Sequence, residues 1–272
     1  MKIFKSIRII NSKIKKLKKE DKTIAFVPTM GSLHAGHLAL IKQARRKTDI
    51  VVVSIFLNPT QFINEDDYKN YPINVNADIE ILEKENIDIL FMPKKETIYP
   101  ENFSTNVFEN SLTKKNISGK KKEEHFKGIC TVVLKLFNIV KPDFAFFGEK
   151  DYQQFLIIKK MVYDLNLFIK IIPVKTIREK SGIALSSRNK RLTEKEKKLA
   201  ENIYIALKIA REKKNIEEAK KFLIEKNIRK INYFNLLNAD TLEEENFNSG
   251  EKSILLISVR IGKIDLIDNL WL

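Results

Sequence analysis

Apolar residues along the chain gather in short unbroken runs separated by longer stretches of helical spacing. Residues 23–27 (Thr-Ile-Ala-Phe-Val) form such a run, predicting a strand covered on both faces and ended by Pro28. Leu38, Ile41 and Ala44 then recur at helical spacing among charged residues, predicting a helix over 37–47. Residues 50–57 are a second β-branched and aromatic run, so strand, helix and strand make a right-handed parallel crossover. The alternation continues with helices over 76–86, 126–141 and 153–165 and strands over 88–93, 143–147 and 168–174. Five buried strands interleaved with helices predict an α/β unit, a Rossmann-like doubly wound parallel sheet.

Beyond residue 177 the texture changes. Thr193-Glu194-Lys195-Glu196 has the Ser/Thr-x-x-Glu form of a capping box and opens a predicted helix reaching 214, followed by another over 216–225. Strands are expected over 231–237, 253–261 and 263–267, with Gly262 as the turn between the last two. The chain therefore divides into residues 1–177 and a smaller α+β domain, 178–272. No internal repeat is visible, and the only low-complexity stretch is the Lys/Glu-rich segment 114–124.

Composition adds exclusions. At 272 residues, 43% hydrophobic and 31% charged, the chain is an ordinary globular sequence. No apolar run approaches the roughly 20 residues that span a bilayer. The lysine-rich residues 1–20 lack the apolar core and cleavage site of a secretory signal, so a cytoplasmic protein without a membrane segment is expected. The single cysteine, Cys130, excludes an internal disulfide framework and a cysteine-based metal cluster. A net charge of +15 raises nucleic-acid binding, but the lysines are spread in runs such as 13–19 and 195–198 instead of one stripe. Ile and Asn are abundant too, as in A·T-biased proteomes, so no nucleic-acid partner is expected from charge alone.

Four segments carry chemistry. In Pro28-Thr29-Met30-Gly31-Ser32-Leu33-His34-Ala35-Gly36-His37, two histidines three apart sit at a strand-to-helix junction with two glycines. Glycine lets backbone approach a ligand, and the free N–H groups of a helix N-terminus attract phosphate. A metal pair would want a third ligand nearby, which is missing from the local sequence; a helix-capping histidine is the plainer alternative. Asn58-Pro59-Thr60-Gln61-Phe62 follows the second strand, where ligands bind in open parallel sheets, and Gln61 can hold a hydroxyl and a carboxylate without adding charge. Phe147-Gly148-Glu149-Lys150-Asp151-Tyr152-Gln153-Gln154 offers a compact cation in Lys150 and a carboxylate, Asp151, to orient it or bind ribose or metal-bound water. Gln153 and Gln154 point to different helix faces, so at most one faces a ligand. Leu185-Ser186-Ser187-Arg188-Asn189 places two hydroxyls beside an arginine capable of bidentate phosphate contact. Taken singly, the last three could be a polar turn, a charged helix start and a solvated linker.

Taken in order, with His125-Phe126-Lys127-Gly128-Ile129 between them, these segments resemble the pantothenate synthetase (pantoate–β-alanine ligase) family, most strongly over 23–189. His-x-Gly-His alone marks only a wider group of nucleotidyltransferases; Gln61 and the run Lys150 to Gln154 narrow it. The resemblance implies an AMP-forming ligase that condenses (R)-pantoate with β-alanine through pantoyl adenylate, using ATP and Mg²⁺, as a cytoplasmic homodimer. It implies that Met30, Gly31, Ser32, Leu33, His34, Ala35, Gly36 and His37 line the ATP phosphates. Gly148, Glu149, Lys150, Asp151, Ile177, Leu185, Ser186, Ser187 and Arg188 would complete the nucleotide site, Ile177 through its backbone to adenine. His37, His34 and Lys150 would be catalytic, Gln61 and Gln154 would hold pantoate, and Gln61 would also meet β-alanine. No side-chain metal ligand is assigned. Residues 1–177 would bind ATP and pantoate, with 178–272 closing over the ATP site. Two departures stand out: Tyr71-Pro72-Ile73 where the family has Tyr-Pro-Arg, and Lys122-Glu123-Glu124 before His125 where it has Arg-x-Gly. Another His-x-Gly-His nucleotidyltransferase, a basic nucleic-acid-binding protein and an inactive relative are the competing readings.

Overall fold

The apolar runs build one parallel sheet. A computed structural model describes residues 1–63, 65–115 and 122–272. Strands β1 (Lys2–Phe4), β2 (Ile24–Thr29), β3 (Ile50–Ile55), β4 (Ile89–Phe91), β5 (Phe144–Gly148) and β6 (Lys170–Val174) pair in the order β1-β4-β3-β2-β5-β6. Period two divides their side chains. Ile24, Phe26 and Val52 join one apolar core, and Ala25, Val27, Val51 and Val53 join another on the opposite face. Helices cover both faces, which is why the central strands read as continuous apolar runs instead of alternating ones.

The first face is covered by α1 (Ile7–Lys19), α6 (Lys122–Val140) and α7 (Tyr152–Asp164), the second by α2 (Ala35–Lys47) and α4 (Val75–Lys84). Two short helices, α3 (Glu65–Lys69) and α5 (Lys95–Ile98), lie in the connections. Cys130 is fully buried on α6. Strand β1 and helix α1 are additions to the sequence expectation of five strands. Three residues are too few to show a period, and the apolar stripe Ile10, Ile14 and Leu17 is embedded among lysines. A further correction concerns Pro28, which does not end its strand: β2 runs on to Thr29, with Pro28 opposite Ser54. Pairing on the β5 side stops at Phe26, so the missing proline N–H is not called upon there. The Lys/Glu-rich segment lies partly outside the described residues.

The remainder is α8 (Glu194–Glu212), α9 (Ile216–Glu225) and an antiparallel sheet β7-β8-β9 (Lys230–Asn238, Ser253–Ile261, Ile264–Trp271). The capping box forms as expected: Glu196 N donates to Thr193 Oγ1 (3.3 Å), and Thr193 N donates to Glu196 Oε2 (2.8 Å). Gly262, at φ +56°, makes the β8–β9 turn. Helix α8 lays Ile203, Ala206 and Leu207 against Leu255, Ile257 and Val259. The far ends of β7 and β8 contribute Leu237, Ile254 and Leu256 to the core beneath α6 and α7, so the two sheets share apolar contacts.

Candidate active site

The chain leaves β2 through a turn whose shape is set by a buried carboxylate. Thr29 Oγ1 donates to Ser54 O (2.7 Å) and accepts from Gly31 N (3.1 Å). Gly31 and Ser32 then take positive φ, +83° and 54°. Asp78 on α4, 2% exposed, accepts from Ser32 N (2.8 Å) and Leu33 N (2.7 Å). A Cβ at Gly31 would lie 2.9 Å from that carboxylate, so glycine is required for space as well as for φ. Asp78 was not foreseen from sequence, although an acidic residue on the buried stripe of α4 was a visible signal.

His34 caps α2. Gly36 N donates to His34 Nδ1 (3.1 Å), His34 N donates to His37 Nδ1 (3.3 Å), and the rings stand 4.2 Å apart. The capping alternative is therefore realised, yet it uses only Nδ1 of each ring. Burial, with Lys150 and Lys190 nearby, lowers His34 to about 4. Burial and the neighbouring His34 lower His37 to about 3. Both rings are neutral at pH 7, and with Nδ1 accepting, each carries its hydrogen on Nε2.

The wall beside this turn comes from the end of β3. Asn58, fully enclosed, donates to Gln61 Oε1 and Gly128 O (both 3.1 Å) and accepts from Tyr99 OH (2.8 Å). Gln61 Nε2 donates to Met30 Sδ (2.8 Å), which joins two of the predicted site segments directly. Gly128 lets α6 press on this wall, since a Cβ there would sit 2.4 Å from Thr60 O. His125 Nδ1 donates to Gln61 O, and burial holds its ring below the usual histidine range. Gln153 is buried and donates to Leu112 O (2.9 Å); Gln154, half-buried on the same first turn of α7, is left for the rim.

Lys150 sits on a 3₁₀ turn, Glu149–Asp151, at the carboxyl end of β5, with Nζ 3.6 Å from Asp151 Oδ1 and its side chain 16% exposed. A Cβ at Gly148 would meet nothing within 4 Å, so the space beside it is open. Across the rim, Ser186 caps the turn Ser187–Arg191 by accepting from Arg188 N (3.3 Å). Arg188 and Arg191 both hold Asp67, at 2.9 and 2.7 Å. Burial raises the Asp67 carboxyl, but the arginines outweigh it and the net shift is downward. Ser187 Oγ donates to Tyr71 OH (3.2 Å) and Lys190 Nζ to Ser32 Oγ (3.1 Å), so this loop reaches the turn after β2. Ile177 O accepts from Leu185 N (2.9 Å). Asn58, Asp67, Lys190 and His125 join the constellation without having been assigned to it from sequence. Of the two departures, Ile73 is exposed, while Lys122 extends over the Tyr233 ring (5.6 Å) with Asp151 and Arg188 among the charges acting on it.

The sequence model of the pantoate–β-alanine ligase family matches residues 2–271. The chain belongs to that family. Similar pantoate–β-alanine ligases include the pantothenate synthetase of Caldicellulosiruptor bescii, 43% identical over 279 residues covering 99% of this chain and 98% of the relative. That of Thermodesulfovibrio yellowstonii is 46% identical, covering 99% of each. Among solved structures, the pantothenate synthetase of Thermus thermophilus superposes with a TM-score of 0.90 at 35% identity, covering 99% of both chains. The Francisella tularensis pantoate–β-alanine ligase, crystallised with a β,γ-ATP compound and β-alanine, gives 0.85 at 40% identity, covering 100% of this chain and 97% of that one.

Proposed function

We propose that the protein condenses (R)-pantoate with β-alanine at the expense of ATP. A pantoate carboxylate oxygen attacks the α-phosphorus, the bond to the β-phosphate oxygen breaks, and pyrophosphate leaves. The β-alanine amine then attacks the acyl carbon of pantoyl adenylate, loses a proton and expels AMP. The observation that carries this reading is the arrangement around the turn at Met30. The His34 and His37 rings stand 4.2 Å apart there with Lys150 and Lys190 acting on both, and Gln61 touches Met30 from the side. Neutral imidazoles with hydrogen on Nε2 are hydrogen-bond donors for phosphate oxygens as charge moves, and the lysines supply the positive field. Since Asp78 already fixes the turn, little reorganisation is needed when the reaction begins. Gln61 and Gln154 hold pantoate, Gln61 also meeting β-alanine, and Gly148, Lys150, Ile177, Ser186 and Arg188 hold the nucleotide.

In this reading residues 178–272 close over a site carried by 1–177, a closure supported by the Lys190–Ser32 and Arg188–Asp67 contacts. Among the described residues, His, Cys, Asp and Glu form no cluster of three or more suited to a metal. Asp78 is buried against the turn and Asp67 is held by two arginines, whereas Asp151, paired with Lys150 at 3.6 Å, is half-exposed. That donor set would suit Mg²⁺ held chiefly by nucleotide phosphates, with Asp151 the carboxylate that would meet the ion or its water. The ion would neutralise phosphate charge. The enzyme works as a cytoplasmic homodimer; Phe168, 100% exposed just before the edge strand β6, is the face we assign to a second copy. No helix among the described residues is long and apolar enough to cross a membrane.

ATP–pyrophosphate exchange tests the reading. Exchange should need pantoate, and AMP should accumulate only when β-alanine is added. Exchange without pantoate, or nucleotide retained on the product, overturns it.

A further inference from the structure

The turn that carries Lys150 runs from the paired Gly148 into α7 with no side-chain cap of its own. Side chains of the other sheet bond to it. Asn269 of β9, 4% exposed, donates from Nδ2 to the carbonyls of both Glu149 (2.7 Å) and Lys150 (3.1 Å). Trp271 Nε1 donates to Glu149 Oε2 (3.4 Å), and its ring meets Tyr152 edge-on at 5.3 Å. Asn269 is itself braced. Arg178 donates to Asn269 O (2.9 Å) and makes two bonds to Asp268 (2.6 and 2.9 Å), while Asp268 Oδ1 accepts from Asn269 N (2.8 Å). The Arg178 guanidinium lies 3.8 Å from the centre of the Tyr204 ring on α8.

We propose that Asn269 is a positioning residue for Lys150, and that Arg178, Asp268 and Asn269 form a strut carrying the position of β9 to the phosphate-binding lysine. The inference rests on the function proposed above. One amide that bonds two successive carbonyls fixes the orientation of the backbone from which the lysine side chain departs. A lysine has a long flexible stem, so its ammonium can be held in place only if its backbone is. Displacement of about 1 Å at a phosphate-positioning group can cost on the order of a hundredfold in rate. Because pyrophosphate leaves in the first step, Lys150 matters to adenylation and not to the later attack by the amine.

The test compares the two half-reactions in Asn269→Ala and Asn269→Ser. In Asn269→Ala, pantoate-dependent exchange should fall about a hundredfold, with KM for ATP raised. Aminolysis of supplied pantoyl adenylate by β-alanine should stay at the wild-type rate, as should KM for pantoate. Asn269→Ser keeps one donor and should fall between, and it serves if the alanine variant does not fold. Val259→Ala, buried in β8 away from the turn, lowers stability alone and should leave both half-reactions intact. Unchanged exchange in a folded Asn269 variant, or equal loss in both half-reactions, overturns the proposal. Wild-type exchange that ignores pantoate overturns the functional reading first, which separates the two failures.

Discussion

Each of the three histidines has one ring nitrogen committed to the backbone, and that commitment decides what the other can do. His34 and His37 accept at Nδ1 and so donate from Nε2; His125 donates from Nδ1 and keeps a lone pair at Nε2. With His34 at about 4 and His37 at about 3, neither titrates in the free enzyme near the ordinary histidine value. Hence kcat/KM for ATP should show no inflection between pH 6 and about 7.5 from these groups, and NMR titration should give their low midpoints directly. The same shifts bear on stability. Below about 6.5 the unfolded chain protonates both rings while the folded chain does not, so the unfolded state binds more protons. Stability from this source is complete above that pH and drains away as pH falls toward 4 and then 3, which urea titrations at pH 7 and pH 5 would detect. Asp78→Asn turns one acceptor oxygen into a donor facing a backbone N–H, which should cost about 1–3 kcal/mol of stability and slow exchange. A variant with wild-type stability and exchange would show that the turn holds its shape without the clamp.

At the level of elements, the loop 187–191 and helix α3 are latched by Asp67, whose carboxylate takes one N–H from each of Arg188 and Arg191, donors that also suit a phosphate. Asp67→Asn should therefore lower KM for ATP roughly two- to fivefold, the range set by a partly exposed ion pair of ~0.5–1 kcal/mol. A raised KM would mean that Asp67 orients the arginines instead of competing for them. This latch was invisible in the sequence because Asp67 lies in the polar run Glu65-Asp66-Asp67, which reads as solvated surface. The central strands, by contrast, were legible because burial on both faces writes itself as an unbroken apolar run, and α8 because Thr193 and Glu196 spell out its cap. The segments bearing Met30, Gln61, Lys150 and Ser186 were legible for a related reason: glycine, proline and polar residues interrupt the apolar pattern where strands and loops end. What sequence could not give were the partners of those residues. Asp78, Asn58 and Asn269 act through contacts 45, 70 and 120 positions away in the chain.

For the whole molecule, the two sheets are joined by a shared core and by the bonds from Asn269 of β9 to the Lys150 turn, so the smaller unit holds a loop of the larger one. A second copy of the chain is proposed to pack on Phe168. Phe168→Glu should shift sedimentation toward the monomer at micromolar concentration; an unaltered dimer would move the interface elsewhere. Cys130 belongs to the core that the two sheets share. It lies at the middle of α6 with no exposed surface, and burial pushes its thiol up to about 11. A folded chain at pH 8 offers almost no thiolate to an alkylating reagent, so labelling waits for the core to open. The single thiol is thus a built-in clock for that opening. Adding ATP with pantoate should slow the clock in proportion to ligand binding, giving an affinity without any turnover being measured. Labelling that kept its pace under saturating ligand would show that α6 opens independently of the site.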